Sequence, residues 1–208
     1  RPTCRLTGTK VVCAEGDCGS CSVLLGRPDA AAIRYRAVTS CIQYVYQLDG
    51  THIITVEGLQ TRGTLHPIQQ AMVTCHGAQC GYCTPGFVVS MTALLEENAT
   101  LSPATLRRGL TGNLCRCTGY ESILHAGQSI DASAVQRLNA LYPPADMLPT
   151  LNAWRSESLR IEAAARTVFK PATLAEALAF RRAHPAATII AGGTDLGVVM
   201  NKGKLDPQ

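Results

Sequence analysis

The chain has 208 residues, a formal net charge of +4, only 16% charged and 5% aromatic residues, and ten cysteines. That length is enough for more than one small domain, and the weak positive charge forms no basic run, so a nucleic-acid partner is not expected. No apolar stretch reaches the roughly 18 residues of a membrane-spanning helix, and cysteines in close C-x2-C and C-x-C pairs favour metal-bound thiolates in a reducing, cytoplasmic setting over secreted disulfides.

Residues 1–57 are rich in Gly, Thr, Val and Cys and contain short β-like runs. Residues 21–25 predict a strand that leaves a cysteine loop, and residues 33–38 predict its partner. A turn is expected between them at residues 26–29, whose sequence is Gly-Arg-Pro-Asp. Residues 52–56 predict a further strand, so this interval is interpreted as a small β domain.

Residues 58–140 are interpreted as an all-helical domain with four helices, each marked by a start signal. Pro67 suits the first turn of the first helix, and Thr84 before a proline is the predicted N-cap of the second. Ser102 repeats this signal for the third helix. Thr118, three residues before a glutamate, has capping-box spacing for the fourth.

Residues 141–166 contain a Tyr-Pro-Pro step and mixed polar residues, and are interpreted as a linker. Residues 167–208 begin a new unit, in which a capping box predicts a helix from Thr173 to about Ala183. A short strand is predicted at residues 187–191, followed by a Gly-Gly turn. Because a β–α start of this length cannot close a core alone, we expect it to be the beginning of a longer domain.

The first cysteine set has the spacing C-x4-C-x2-C-x19-C, which is the plant-ferredoxin spacing for a [2Fe–2S] cluster. The set comprises Cys13, Cys18, Cys21 and Cys41. Three ligands on one loop require tight turns and backbone N–H groups that point at sulfur, which Gly16 and Gly19 permit. A zinc site is disfavoured here because zinc knuckles usually use paired C-x2-C units.

The second cysteine set has the spacing C-x2-C-x31-C-x-C and comprises Cys80, Cys83, Cys115 and Cys117. This spacing alone is compatible with zinc or with a [2Fe–2S] cluster. A second [2Fe–2S] cluster is favoured because a cluster is predicted next door and both pairs lie at helix ends with free N–H groups. Cys4 and Cys75 fall outside both patterns and are interpreted as bystander thiols.

Four motifs, in order, resemble the xanthine dehydrogenase or molybdenum hydroxylase family. They are residues 7–21, with Thr-Gly-Thr-Lys before the first cysteines, residues 79–86, residues 112–120 and residues 189–196. The resemblance implies an α+β multidomain protein. It would contain a plant-ferredoxin-like β-grasp domain at 1–57, a four-helix [2Fe–2S] domain at 58–140 and, after the linker, the start of an α+β FAD-binding domain at 167–208.

The resemblance also implies site residues, none of them catalytic. The two cysteine sets would hold two [2Fe–2S] clusters, and Gln79 and Cys117 would approach the pterin of a molybdenum cofactor carried by a partner. Backbone N–H groups of the motif at 189–196 and the Thr194 hydroxyl would bind FAD pyrophosphate. That motif comprises Ile189, Ile190, Ala191, Gly192, Gly193, Thr194, Asp195 and Leu196.

The function implied is that of the electron-transfer and FAD subunit of a xanthine dehydrogenase-type oxidoreductase. Electrons would pass from molybdenum through the second and then the first cluster to FAD, and then to NAD+ or oxygen. A molybdenum-binding large subunit would complete a heterotetramer or larger assembly and convert hypoxanthine to xanthine and urate. The alternatives are an aldehyde or N-heterocycle oxidase with the same fusion, a stand-alone iron–sulfur carrier, and a structural zinc protein. The family's N-terminal hairpin and its remaining FAD and molybdenum residues are not in this sequence.

Overall fold

The computed structural model describes residues 5–163 and 166–203, so Cys4 lies outside the described residues. The strands are β1 (Ser22–Asp29), β2 (Ala32–Thr39), β3 (His52–Ile54), β4 (Leu159–Ala163) and β5 (Arg166–Lys170). The α-helices are α1 (Pro67–Thr74), α2 (Thr84–Glu97), α3 (Pro103–Gly109), α4 (Glu121–Gln128), α5 (Leu138–Leu141), α6 (Leu148–Ser156), α7 (Leu174–Ala183) and α8 (Thr194–Asn201). Short 3-10 helices lie at Ser40–Ile42, Val45–Leu48, Val56–Leu59, Ala132–Ala134 and Pro144–Asp146. Within the described ranges, no helix combines the length and apolarity needed to cross a bilayer.

The first sheet is antiparallel, with strand order β2-β1-β3. Its central strand pairs Leu24 with Ala37 on one side and with Ile54 on the other. Leu24 and Ile54 are almost completely buried, because the sheet packs against α2. All three strands lie where the sequence predicts them. The described part of residues 1–57 contains three strands, and three strands alone do not define a β-grasp fold. The β-grasp description of this unit therefore stays a prediction.

The turn predicted at residues 26–29 is wrong, because β1 continues through it to Asp29 and the chain reverses at residues 30–31. Pro28 is tolerated in the strand because β3 pairs only with residues 24–26, and so leaves one side of β1 open beyond them. On that open side the Pro28 carbonyl accepts a hydrogen bond from Arg155 at 3.3 Å. Ala30 makes the actual turn in a left-handed conformation with φ of 52°.

Helices α1 to α4 occupy the residues predicted to be helical, and α2 is their centre. Phe87, Met91 and Leu95 on α2 are at most 1% exposed and share one apolar core with the first sheet. The elements that pack against α2 include α1, α3, β1 and β2. Since a fifth helix, α5, begins within residues 58–140 and ends at Leu141, the description of this interval as a four-helix domain remains a prediction.

Two of the four predicted helix starts differ in the structure. Helix α1 begins at Pro67, and the Ser102 hydroxyl caps α3 by accepting from the Thr105 N–H at 3.1 Å, as predicted. Thr84, however, is already the first residue of α2, whose N-cap is Cys83, and Tyr120 rather than Thr118 is the N-cap of α4. In both cases the segment before the helix carries cysteines, Cys80 and Cys83 before α2 and Cys115 and Cys117 before α4.

Residues 141–166, interpreted as a linker, contain secondary structure. Helix α6 packs against β1 and buries Leu151 to 5% exposure. Gly50, with φ of 66°, lies directly beneath α6 at the Leu151 carbonyl and the backbone of Arg155. The interval therefore includes a helix attached to the first sheet, and the proposed domain boundaries remain predictions.

The last unit contains the β4–β5 hairpin, α7 and α8. Helix α7 has the predicted capping box, in which the Glu176 N–H donates to the Thr173 hydroxyl at 3.2 Å and the Glu176 carboxylate accepts from the Thr173 N–H at 3.0 Å. The strand predicted at residues 187–191 is not formed. A strand requires a hydrogen-bonded neighbour. In the described residues the second sheet consists of β4 and β5, and residues 187–191 pair with neither of them.

We expect Gly19→Ala to destabilise the protein by more than Gly63→Ala. Both glycines have positive φ, 72° and 83°, so both alanines carry left-handed strain of about 1 kcal/mol. A Cβ on Gly19 would also collide with the Gly112 carbonyl and lie 2.5 Å from the Asn113 side chain, whereas a Cβ on Gly63 meets nothing within 4 Å. Overpacking adds roughly 1–3 kcal/mol, so urea unfolding should show a clearly lower midpoint for Gly19→Ala. Equal midpoints for the two variants would contradict this packing.

Candidate functional site

The first cysteine set comes together as two pairs of thiols. The Cys13 and Cys18 side chains hydrogen-bond to each other, and the Cys18 N–H donates to Cys13 Sγ at 3.5 Å. The Cys21 and Cys41 side chains form the second pair. Cys21 is 2% exposed at the start of the central strand, and Cys41 lies in the 3-10 helix after β2. The Ser40 hydroxyl closes this second pair by donating to the Cys21 carbonyl at 2.8 Å.

Left-handed residues turn the backbone N–H groups of the first cysteine loop toward sulfur. Gly16 has φ of 76°, and its N–H hydrogen-bonds to Cys41. Burial raises the pKa of Cys13, but N–H groups of Cys18, Glu15 and Asp17 outweigh burial and lower this pKa to about 7. Burial and the contact with its partner cysteine raise the pKa of Cys41 to about 12. Such N–H···S contacts stabilise thiolates, which are the form that binds iron.

The second cysteine set also forms two pairs. Cys80 and Cys117 lie 3.5 Å apart at Sγ and are exposed, whereas Cys83 and Cys115 hydrogen-bond to each other and are partly buried. Cys83 is the N-cap of α2. Cys115 and Cys117 lie in the loop that leads to α4.

Two residues that were not assigned a site role support this loop. The Tyr120 hydroxyl accepts from the Cys115 N–H at 3.1 Å, and Thr118 Oγ1 lies 3.1 Å from Cys115 Sγ. Burial raises the pKa of Cys115, but the Thr118 hydroxyl and nearby N–H groups outweigh it and lower this pKa below its ordinary value. Burial and its partner raise the pKa of Cys83 to about 12. Both supporting residues lie in the Cys-x-Cys-Thr-Gly-Tyr motif, and that motif was the available signal.

The donor type of each set fits an iron–sulfur cluster. A [2Fe–2S] cluster has two irons held by four thiolates, and each set supplies four cysteines. Over the ranges 5–163 and 166–203, no group of three or more His, Cys, Asp or Glu side chains is arranged to hold a metal ion. Cys75 lies apart from both sets, 3.7 Å from the Ser129 hydroxyl.

The two cysteine loops contact each other through their backbones. The Leu114 N–H donates to the Cys18 carbonyl at 3.0 Å, and Cys115 is the next residue. Gly86 in the first turn of α2 packs against the Gly19 carbonyl so closely that a Cβ would collide with it. One hydrogen bond therefore joins a cysteine of the first set to the neighbour of a cysteine of the second.

The Gly-Gly motif forms a turn into α8. Gly192 and Gly193 have φ of 74° and 77°, and α8 begins at Thr194. The start of a helix presents N–H groups that have no intrahelical partner, which suits an anionic pyrophosphate. Gln47, five residues before the start of β3, donates from Nε2 to the Gly192 carbonyl at 2.7 Å, and the Tyr44 ring lies against Gly193.

The other residues predicted to bind cofactors lie on either side of the Gly-Gly turn and beside Cys80. Ile189, Ile190 and Ala191 form the extended approach to the turn, and Ile189 is 78% exposed. The motif ends in the first turn of α8, which contains Asp195 and Leu196. Gln79 is exposed beside Cys80, far along the chain from the turn.

We expect Cys115→Ala to remove one of two iron–sulfur signals, because it deletes a thiol from the buried pair of the second set. Electron paramagnetic resonance of the reduced protein should then show the other signal alone. Cys75→Ala is the matched control and should keep both signals, since that cysteine belongs to neither set. Two intact signals in Cys115→Ala would refute the assignment of this ligand.

Two protein families match this chain. The family described as "[2Fe-2S] binding domain" matches residues 55–128 and so includes the second cysteine set. The family described as "FAD binding domain in molybdopterin dehydrogenase" matches residues 159–208 and includes the Gly-Gly turn. The first cysteine set lies before both matches, and its assignment depends on its spacing and geometry.

Individual relatives extend the match to almost the whole chain. Xanthine dehydrogenase of Drosophila subobscura is 37% identical over 95% of this chain and 18% of its own length. Aldehyde oxidase 1 of Rattus norvegicus is 47% identical over 61% of this chain and 10% of its own length. In the crystal structure of quinoline 2-oxidoreductase from Pseudomonas putida 86, one chain superposes with a TM-score of 0.54 at 38% identity. The match covers 62% of this chain and 74% of that one.

This chain spans less than a fifth of the length of the curated relatives named above. The matched families, the relatives and the paired thiols agree on an oxidoreductase region whose cofactors are [2Fe–2S] and FAD. The chain belongs to the molybdenum hydroxylase family, of which it forms the iron–sulfur and FAD-binding region.

Proposed function

We propose that this chain is the electron-transfer and FAD part of a xanthine dehydrogenase-type molybdenum hydroxylase. With its two [2Fe–2S] clusters and FAD bound, it would carry electrons from a partner's molybdenum site to FAD and on to NAD+. The observation that carries the proposal is the 3.0 Å hydrogen bond from the Leu114 N–H to the Cys18 carbonyl, which joins the two cysteine loops.

The chain's own residues form one continuous connection from one end of this route to the other. The second cysteine loop meets the first at Leu114, and the first loop meets helix α8 through the 3-10 helix Ser40–Ile42. Gly197 of α8 packs on Ile42, where a Cβ would lie 3.2 Å from the Ile42 carbonyl oxygen. The Gly-Gly turn precedes α8, so contacts between consecutive segments lead from both cysteine sets to the flavin loop.

The exposed end of the route is the second cysteine set. Cys80 and Cys117 are exposed, and Tyr82 and Leu114 beside them are each 47% exposed. An apolar rim around exposed ligands suits a protein partner, which would exclude water from this cluster. We propose that the molybdenum-binding subunit docks here, with Gln79 and Cys117 directed to its pterin. A heterotetramer or larger assembly in the cytoplasm remains part of the proposal.

A second candidate function is the same role in an aldehyde or N-heterocycle oxidase. Two relatives, aldehyde oxidase 1 and quinoline 2-oxidoreductase, favour it. The two candidates share every residue discussed above and differ only in the substrate of the partner. A stand-alone carrier would lack the partner altogether.

Turnover by the native complex tests the proposal. The complex should be brown and contain about four irons per chain, two for each cluster. Hypoxanthine or xanthine should reduce NAD+, whereas an aldehyde or quinoline should be oxidised slowly. Turnover of aldehyde or quinoline alone would replace the first candidate by the second. A native preparation without molybdopterin would support the stand-alone carrier.

We expect Gly193→Ala to lower the FAD content more than Gly203→Ala. Both residues have left-handed φ, 77° and 67°, at opposite ends of α8. A Cβ on Gly193 would lie 2.8 Å from the Tyr44 ring and push the turn away, whereas a Cβ on Gly203 meets nothing within 4 Å. The flavin absorbance per chain of the purified proteins measures the difference, and equal FAD content would count against the role of this turn.

A further inference from the structure

The C-terminal end of α8 is attached to the backbone of the first cysteine set. Asn201, the last residue of the helix, donates from Nδ2 to the Cys41 carbonyl at 2.7 Å and to the Ala14 carbonyl at 2.9 Å. Lys202 donates from Nζ to the Cys13 carbonyl at 2.9 Å. Two adjacent side chains of the flavin unit therefore hold the backbone of two cysteines, one from each thiol pair.

Two residues of opposite charge, Lys202 and Glu15, lie at this contact. The Lys202 ammonium lies 3.1 Å from a carboxylate oxygen of Glu15, which is inside the cysteine loop. Both side chains are about 40% exposed, at 39% and 42%, so water weakens their mutual attraction. The ammonium and the carboxylate are thus neighbours of the same thiol pair with opposite charges.

We propose that Lys202 and Glu15 set the reduction potential of the first cluster in opposite directions, with Asn201 as the residue that positions the helix end. This inference depends on the proposed first cluster. Reduction adds one electron to the cluster and neither forms nor breaks a bond, so it adds one negative charge. A nearby cation stabilises the reduced form and raises the potential, and a nearby carboxylate lowers it.

The arrangement also connects this cluster to the flavin loop. The helix that begins at the Gly-Gly turn ends at Asn201, so a displacement of the turn would move both donors relative to the cysteine loop. Lys202 contacts the Cys13 carbonyl and no reacting atom, so it acts on the cluster through its charge and its position.

Redox titration of the holoenzyme with dithionite, followed by electron paramagnetic resonance, tests the proposal. The signal that persists in Cys115→Ala belongs to the first cluster. For Lys202→Gln, we expect the ratio of reduced to oxidised first cluster at a fixed applied potential to fall by about threefold to tenfold. A tenfold change corresponds to 59 mV for a one-electron couple. For Glu15→Gln the ratio should rise, and for Lys202→Arg it should stay within about twofold of wild type.

Lys170→Gln is the matched control. It removes the same charge and breaks another contact between the flavin unit and the first unit, the 2.8 Å ion pair with Asp49, which lies outside the cysteine loop. Its titration should coincide with that of wild type. An unchanged ratio in Lys202→Gln, or shifts of the same sign in Lys202→Gln and Glu15→Gln, would overturn the inference. A wild-type holoenzyme with no first-cluster signal would instead overturn the proposed function, and the inference with it.

Discussion

The structure depends on a contact between two backbones that have no side chain between them. The Cys18 carbonyl accepts from the Leu114 N–H, while the backbone of Gly19 lies against Gly86 and Gly112. Any Cβ at Gly19 or Gly86 would separate the β unit from the helical unit. The distance between the two cysteine sets is therefore set by glycines, which explains why small residues and cysteines occur together in these loops.

The parts of the fold that sequence reasoning predicted are those with local causes. Spacing alone groups the eight cysteines into two sets of four, which remain predicted ligands. The Thr173 capping box and the start of α1 at Pro67 depend on neighbours within one helical turn. The three strands of the first sheet were also found, because alternation of apolar residues is a short-range signal. In each case, the residues that decide the structure are close together in the sequence.

The parts that were missed have distant causes. The predicted turn at residues 26–29 lies inside β1, where Pro28 pairs with Ile33 of β2 and tolerates the strand because β3 pairs no further than Gly26. No strand forms at residues 187–191, because among the described residues it has no neighbouring strand. The start of α4 is different, because its cause is local. The Thr118 hydroxyl accepts from the Tyr120 N–H at 3.2 Å and also contacts Cys115 Sγ, while Tyr120 itself is the N-cap.

The two cysteine sets also differ in how the chain encloses them. Cys21, directly before the central strand of the first sheet, is 2% exposed, whereas Cys80 and Cys117 are open to solvent. The other five cysteines of the two sets are partly buried. Solvent and the molecules in it therefore reach one pair of the second set directly, while the first set has one ligand that they do not reach.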